Sequence, residues 1–185
     1  MHQIKSLIYI LGISLFATVA FPAGVPFPAL QFLVGNWEVE AKPGEGTAHF
    51  EFSIDLQGKV LVRHNHVEYP ATGGKPAGAH DDLLVIYQEG TPTTTRAAYY
   101  DSDGYIARYT ATSSGAGQVV FVSDRLPKLP RYRLTYTQLP DGRLDAKLEV
   151  AAAGKPDAFG PLLDWVAKRV TQNQPATATT PSVKQ

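Results

Sequence analysis

The chain has 185 residues, enough for one domain and hardly for two, and 44% of them are hydrophobic, which is ordinary for a globular core. Its 17 basic and 17 acidic residues balance, and no basic stripe is visible. Because nucleic acids and anionic membranes both require clustered Lys and Arg, we expect neither as a main partner. Cysteine is absent, so we expect no thiolate chemistry, no disulfide framework and no lipoprotein anchor.

Residues 1–20 predict a signal peptide. Lys5 gives a weakly basic start, and residues 7–20 are almost wholly apolar. Thr18 and Ala20 place small residues at the two positions that signal peptidase inspects. The apolar run of about 14 residues is shorter than the roughly 20 of a spanning helix. We therefore expect cleavage after Ala20, no integral membrane span afterwards, and a periplasmic or secreted protein.

Residues 21–170 predict a single domain of short strands. Between positions 32 and 150, alternating apolar and polar residues form runs that are separated by turn signals. Their even spacing favours an all-β, antiparallel up-and-down barrel, because closure removes the exposed edges of a long meander, although a sandwich has similar spacing. The nine predicted strands are 36–41, 47–56, 59–69, 82–88, 96–100, 105–111, 118–123, 131–138 and 143–150.

The end of the chain predicts a helix and a tail. An α-helix is expected over residues 161–170, across the barrel wall or in one end, because Pro161 suits a first helical position and Lys168 and Arg169 suit a last turn. Residues 171–185 are polar and rich in Thr, which predicts a disordered tail. The apolar residues at helical spacing are Phe159, Leu162, Leu163, Val166 and Val170.

The hairpin predicted over residues 47–69 carries the first candidate for chemistry. A turn of two or four residues at its centre places His49 opposite His66 and Glu51 opposite His64. Directly opposed side chains stand about 5 Å apart at Cβ, so two imidazoles and a carboxylate can meet one divalent metal there. Neutral imidazole and carboxylate oxygen suit zinc.

The hairpin has two faces, and the sequence leaves open which of them is inward. Phe50 and Phe52 make one face a natural core, which turns the histidine face to solvent, where His–Glu pairs merely stabilise the sheet. A polar lumen would instead enclose the histidines. His80, in a predicted loop after the hairpin, is a further candidate metal ligand.

The start of the first strand carries a resemblance to a known group. Leu33, Gly35 and Trp37 form a Leu-x-Gly-x-Trp start, and Tyr99 to Gly104 form a Tyr-x-Asp-x-x-Gly hairpin. This pattern resembles the calycin group of lipocalins, fatty-acid-binding proteins and nitrobindin-like barrels, and in particular bacterial exported lipocalin-like proteins. The resemblance implies that Trp37 closes one end of a barrel. Nitrobindin-like barrels bind haem, so the resemblance permits haem as well as zinc near the histidines.

Arginines and tyrosines on several strands are the candidates for ligand binding. Arginine can hold a ligand carboxylate through two parallel hydrogen bonds, and tyrosine combines an apolar body with a polar tip that suits a cavity wall. The candidate ligand-binding residues are Trp37, Arg63, Tyr87, Arg108, Tyr109 and Arg133.

These features favour a binding protein over an enzyme. The sequence has no Cys nucleophile and no Gly-x-Ser-x-Gly elbow. We therefore expect an exported protein that binds or carries a small lipophilic molecule in a barrel cavity. The alternatives are a metal- or haem-dependent protein with its site at His49, His64, His66 and His80, and a non-catalytic envelope protein whose surface contacts a partner.

Overall fold

The structure, a computed structural model, describes residues 26–42, 44–90, 93–113 and 117–170. The predicted signal peptide (1–20) and the predicted disordered tail (171–185) lie outside the described residues. None of the helices within these ranges has the length and hydropathy that a membrane crossing requires.

Ten antiparallel strands in the described part of the chain close into a barrel. Each strand pairs with the next along the chain, and the last pairs with the first. The strands are β1 (Gly35–Val39), β2 (Thr47–Asp55), β3 (Val60–Tyr69), β4 (Gly78–Glu89), β5 (Thr94–Asp101), β6 (Ile106–Ser113), β7 (Gln118–Ser123), β8 (Arg131–Gln138), β9 (Leu144–Ala151) and β10 (Gly160–Val170).

The prediction of an all-β, antiparallel up-and-down barrel is confirmed, and closure of the sheet excludes a sandwich. The first nine strands correspond to the nine predicted ones, and β4 differs most because it begins at Gly78 and includes His80. The predicted register of the β2–β3 hairpin is also confirmed, because His49 pairs with His66 and Glu51 with His64.

The predicted C-terminal helix over residues 161–170 is wrong, because this segment is strand β10, between β1 and β9. A β-bulge between Pro161 and Leu163 interrupts the alternation and places apolar residues at helix-like spacing. Beyond the bulge, every second side chain packs inward, as for Trp165 and Ala167. A helix here would leave the edges of β1 and β9 unpaired, and the need to satisfy those backbone groups outweighs the local pattern.

One end of the barrel is closed by a short 3₁₀ helix, Pro28–Leu33, that precedes β1. Leu30 and Leu33 from this helix are buried in the same core as Trp37, whose ring is fully buried. The Trp37 Nε1 donates a hydrogen bond to the carbonyl oxygen of Leu33 at 2.8 Å. The indole therefore joins the helix to the barrel through both its apolar faces and its one polar atom.

The glycine of the Gly-x-Trp pattern is explained at this closed end by its backbone conformation and by the Arg169 side chain that lies over it. Arg169 from β10 lies with its Cζ 4.3 Å from the centre of the Trp37 ring, and it donates hydrogen bonds to the carbonyl oxygens of Val34 and Phe32. A Cβ atom on Gly35 would stand 2.2 Å from the Arg169 guanidinium, and the φ of Gly35 is +128°. Glycine is favoured here mainly because residues with a Cβ atom rarely adopt this positive φ, whereas the flexible end of Arg169 can shift.

We expect Trp37→Ala to lower the free energy of unfolding by about 3–5 kcal/mol, since it removes a fully buried ring and leaves the Leu33 carbonyl unpaired. Urea unfolding of the purified mature protein measures the loss. Trp165→Ala is the matched control, because Trp165 is only partly buried. Equal losses of unfolding free energy in the two variants would contradict a special contribution of the closed end to stability.

Candidate functional site

The other end of the barrel contains a cavity of about 420 Å³, which we call the lumen. This volume lies within the range of roughly 300–1,000 Å³ that is typical of small-molecule sites. Tyr69, Tyr105 and Leu163 line the lumen and are exposed, so they form a mouth that is open to solvent. The apolar part of the wall consists of Val39, Ala48, Val67, Leu134, Leu148, Leu163 and Trp165.

A polar centre lies inside this mostly apolar lumen, on β3, β4 and β8. Arg63 is 6% exposed, and its guanidinium donates one hydrogen bond to the Tyr136 hydroxyl and one to the Asp82 carboxylate. The second Asp82 oxygen accepts a hydrogen bond of 2.8 Å from the Asn65 side chain. We call Arg63, Asp82, Asn65 and Tyr136 the polar centre.

The position of the polar centre follows from strand alternation. Leu61 is fully buried and faces inward, so Arg63 and Asn65, two and four residues later, face inward too. Burial lowers the pKa of Arg63, but the charges and hydrogen bonds of Tyr136 and Asp82 outweigh it and raise that pKa above its ordinary value. The guanidinium therefore stays charged, and Asp82 neutralises it.

Four tyrosines surround the space between the polar centre and the mouth. Burial, and then the charge of Asp82, raises the pKa of Tyr99, and burial also raises the pKa of Tyr109. Tyr105 packs edge-on against Tyr132, with ring centres 6.0 Å apart. Because their raised pKa values keep the Tyr99 and Tyr109 phenols protonated, these two side chains offer hydroxyl donors without adding charge.

His80 stands near the mouth, with its side chain 22% exposed. Its Nε2 lies 3.9 Å from an Asp82 oxygen, and its Nδ1 lies 3.4 Å from an Asp103 oxygen. His80 therefore lies on the inner face of the barrel wall, whereas the other three candidate histidines lie on its outer face.

The predicted histidine face of β2 and β3 is on the outside of the barrel. Glu38, His49, His66 and Asp81 form a row across four strands, and the row crosses a concave outer recess of about 920 Å³. The rings of His49 and His66 lie 5.1 Å apart between centres. Phe50 and Phe52, on the other face, are buried in the core.

Among the outer histidines, His66 forms ion pairs with two carboxylates. The Nδ1 of His66 lies 2.7 Å from Asp81, and its Nε2 lies 3.5 Å from Glu68, so both ring nitrogens face carboxylates. The hydrogen bond with Asp81, followed by that with Glu68, raises the pKa of His66. Among the residues that the structure describes, no group of three or more His, Cys, Asp or Glu side chains is placed to hold a metal ion.

The structure distributes the candidate ligand-binding residues over three environments. Arg63 and Tyr109 line the lumen, and Trp37 lies inside at the closed end. Arg133 is on the outer wall, where it binds Glu149 through two hydrogen bonds of 2.6 Å. Tyr87 and Arg108 alternate with buried core residues and also face outward.

Sequence reasoning missed several lumen residues, chiefly Asp82, Asn65 and the tyrosines other than Tyr109. A signal for the polar centre was present, because Arg63 and Asn65 interrupt the stripe of Leu61 and Val67 on the apolar face of β3. Polar residues within a core stripe indicate either a buried network or a ligand site.

Comparison with known proteins does not assign this chain to a family. A scan against protein-family models found no match, and a search of curated proteins found none either. The closed antiparallel barrel is compatible with the calycin architecture. Because one fold can host many functions, the geometry of the lumen is the better guide to function.

We expect the ion pair at His66 to stabilise the protein at mildly acidic pH. Because the folded-state pKa of His66 is raised, its stabilisation is fully present below the ordinary histidine pKa of 6.5 and is lost as pH rises through the folded-state value. The melting temperature of His66→Gln should therefore fall furthest below that of the wild type between about pH 5 and 6.5, where the carboxylates are still ionised.

Thermal unfolding followed by circular dichroism at several pH values measures this difference. His64→Gln is the control, because the His64 imidazole has no hydrogen bond to any side chain or backbone group of the described residues. A wild-type advantage over His66→Gln that grows with rising pH would contradict the assignment.

We expect Arg63→Met to lower the free energy of unfolding by about 3–5 kcal/mol, because it leaves the buried Asp82 carboxylate without a counterion. The double variant Arg63→Met/Asp82→Asn should lose less, since it removes both charges. Urea unfolding compares the two variants, and a double variant at least as unstable as the single one would show that the charge pairing is not the cause.

Proposed function

We propose that this chain is an exported protein that binds or carries a small, largely apolar molecule in the lumen. The observation that carries the proposal is a cavity open to solvent at one end and closed by Trp37 and its neighbours at the other, with a largely apolar and aromatic wall around a buried polar centre. Export is supported by the apolar segment over residues 7–20 and the small residues that end it.

The lumen has the composition that small-molecule sites share. Such sites are concave, mainly apolar or aromatic, and contain a few placed polar groups that orient the ligand. Here Leu148, Leu134 and Trp165 supply apolar contact, and the polar centre supplies the oriented groups. A molecule seated against Arg63 would extend past the tyrosines toward the mouth.

The alternatives have less support. A metal or haem site at the outer histidines would require several side chains directed at one point, whereas His66 is engaged by Asp81 and Glu68. A purely structural envelope protein is expected to have a filled barrel, and the lumen of about 420 Å³ counts against that interpretation.

Binding is tested with the uncharged fluorescent probe N-phenylnaphthylamine, which brightens in an apolar environment. We expect saturable enhancement at one probe per protein, and an affinity at least about tenfold weaker in Leu148→Trp, because the larger ring fills the lumen. The matched control Leu83→Trp places the same ring in the outer recess and should leave binding unchanged.

Two results would contradict the proposal. One is the absence of enhancement with folded wild-type protein. The other is loss of binding in Leu83→Trp with retention in Leu148→Trp, which would place the probe in the outer recess. If Leu148→Trp does not fold, Val67→Trp repeats the test from another strand of the lumen wall.

A further inference from the structure

The charge of the polar centre is already balanced before any ligand enters. Arg63 is paired with Asp82, and the two side chains are 7% and 6% exposed. The other Asp82 oxygen is held by Asn65 at 2.8 Å. A ligand that reaches this point therefore meets a neutral pair whose carboxylate is fixed in place by two partners.

One donor of the polar centre is left over. The Nε of Arg63 is buried and has no hydrogen-bond partner among the described residues, whereas Nη1 and Nη2 are bound to Tyr136 and Asp82. A buried donor without an acceptor is unfavourable, and an oxygen from a ligand or a water would satisfy it. Arg63 also lines the lumen, so this donor belongs to a side chain of the proposed ligand site.

The geometry of the guanidinium sets the charge that such an oxygen can carry. Nε and Nη2 share one edge of the planar group, and Nη2 is bound to Asp82. An acceptor at Nε therefore lies beside the Asp82 carboxylate. Two negative charges side by side in a buried site repel strongly, whereas an uncharged oxygen accepts the same hydrogen bond without that repulsion.

A second carboxylate adds to the negative potential near the mouth. Asp101 lines the lumen, and one of its oxygens accepts hydrogen bonds from the backbone amides of Asp103 and Tyr105. The other titratable residues that line the lumen are His80, Asp164 and the tyrosines Tyr69, Tyr99, Tyr105, Tyr109 and Tyr132. At a pH where histidine is neutral, Asp101 therefore leaves the lumen with an excess of negative charge.

We propose that the lumen selects amphiphiles whose polar group is an uncharged acceptor oxygen, as in an alcohol, ester or ketone, and discriminates against ionised carboxylates. The inference rests on the proposed function, because it names the ligand class of the same lumen. It contrasts with the sequence-based expectation that an arginine in the barrel would hold a ligand carboxylate, since Asp82 already occupies that role.

The test uses three ligands with the same hydrocarbon chain: decanol, methyl decanoate and decanoate. Isothermal titration calorimetry of the mature protein at about pH 8, where histidine is neutral, gives the three affinities. We expect decanol and methyl decanoate to bind at least about tenfold more tightly than decanoate. Methyl decanoate is uncharged and has no hydroxyl. It therefore shows whether the preference depends on charge or on a hydrogen bond that the ligand donates.

The variant Asp82→Asn tests the cause. It removes the competing carboxylate and leaves Arg63 as an unbalanced cation, so the affinity for decanoate should rise at least about tenfold relative to decanol. Glu149→Gln is the matched control, because it removes a carboxylate from an arginine pair on the outer wall and should leave the preference unchanged. If Asp82→Asn does not fold, the wild-type comparison still decides the selectivity.

The possible results separate the two proposals. If none of the three ligands binds, both the lumen as a binding site and its selectivity are overturned. If all three bind and decanoate binds as tightly as decanol or more tightly, the proposed function stands and the selectivity is overturned. Tighter binding of both uncharged ligands, with a shift toward decanoate in Asp82→Asn, supports the inference.

Discussion

Closure of the barrel by β10 is the constraint on which the other features of this structure depend. β10 pairs with β1 on one side and β9 on the other, so every strand has two hydrogen-bonded neighbours. Since side chains alternate along each strand, closure assigns each residue either to the enclosed interior or to the outer wall. The Arg63 and Asp82 side chains are buried for this reason. His49 and His66 belong to the alternate set of positions and face solvent. A buried ion pair and an exposed histidine row thus arise from the same alternation.

The two ends of the barrel differ in how completely their contacts are satisfied. At the closed end, the Trp37 indole, the Leu33 carbonyl and the Arg169 guanidinium all have partners, and a glycine permits their close approach. At the other end, a cavity persists, exposed apolar residues form its mouth, and the Arg63 Nε lacks an acceptor. Binding sites are often less stable than the scaffold that positions them, and here the two properties are separated along the barrel axis.

Much of the fold, and less of the site, could be predicted from sequence. Alternation and turn residues were sufficient for nine strands and for the register of His49 opposite His66, because both depend on local pattern. The tenth strand could not be recognised locally, since the bulge near Pro161 mimics helical spacing and only the unpaired β1 and β9 require a strand there. The different roles of Asp81 and Asp82 at the site could not be predicted from local sequence either. These adjacent, identical residues differ in role because one faces His66 outside and the other faces Arg63 inside, which depends on pairing with β3.

The contact between Arg169 and the carbonyl oxygen of Val34 spans 135 positions in sequence. It joins the last strand to the segment that precedes the first, so the barrel wall is incomplete until nearly the whole domain is available. Pairing of strands so distant along the chain is entropically costly and forms slowly compared with local hairpins. The closing step is therefore expected to come late in folding, after the nine neighbouring pairs have begun to assemble. A chain interrupted before β10 would expose two sheet edges, and those edges are the natural starting points for aggregation.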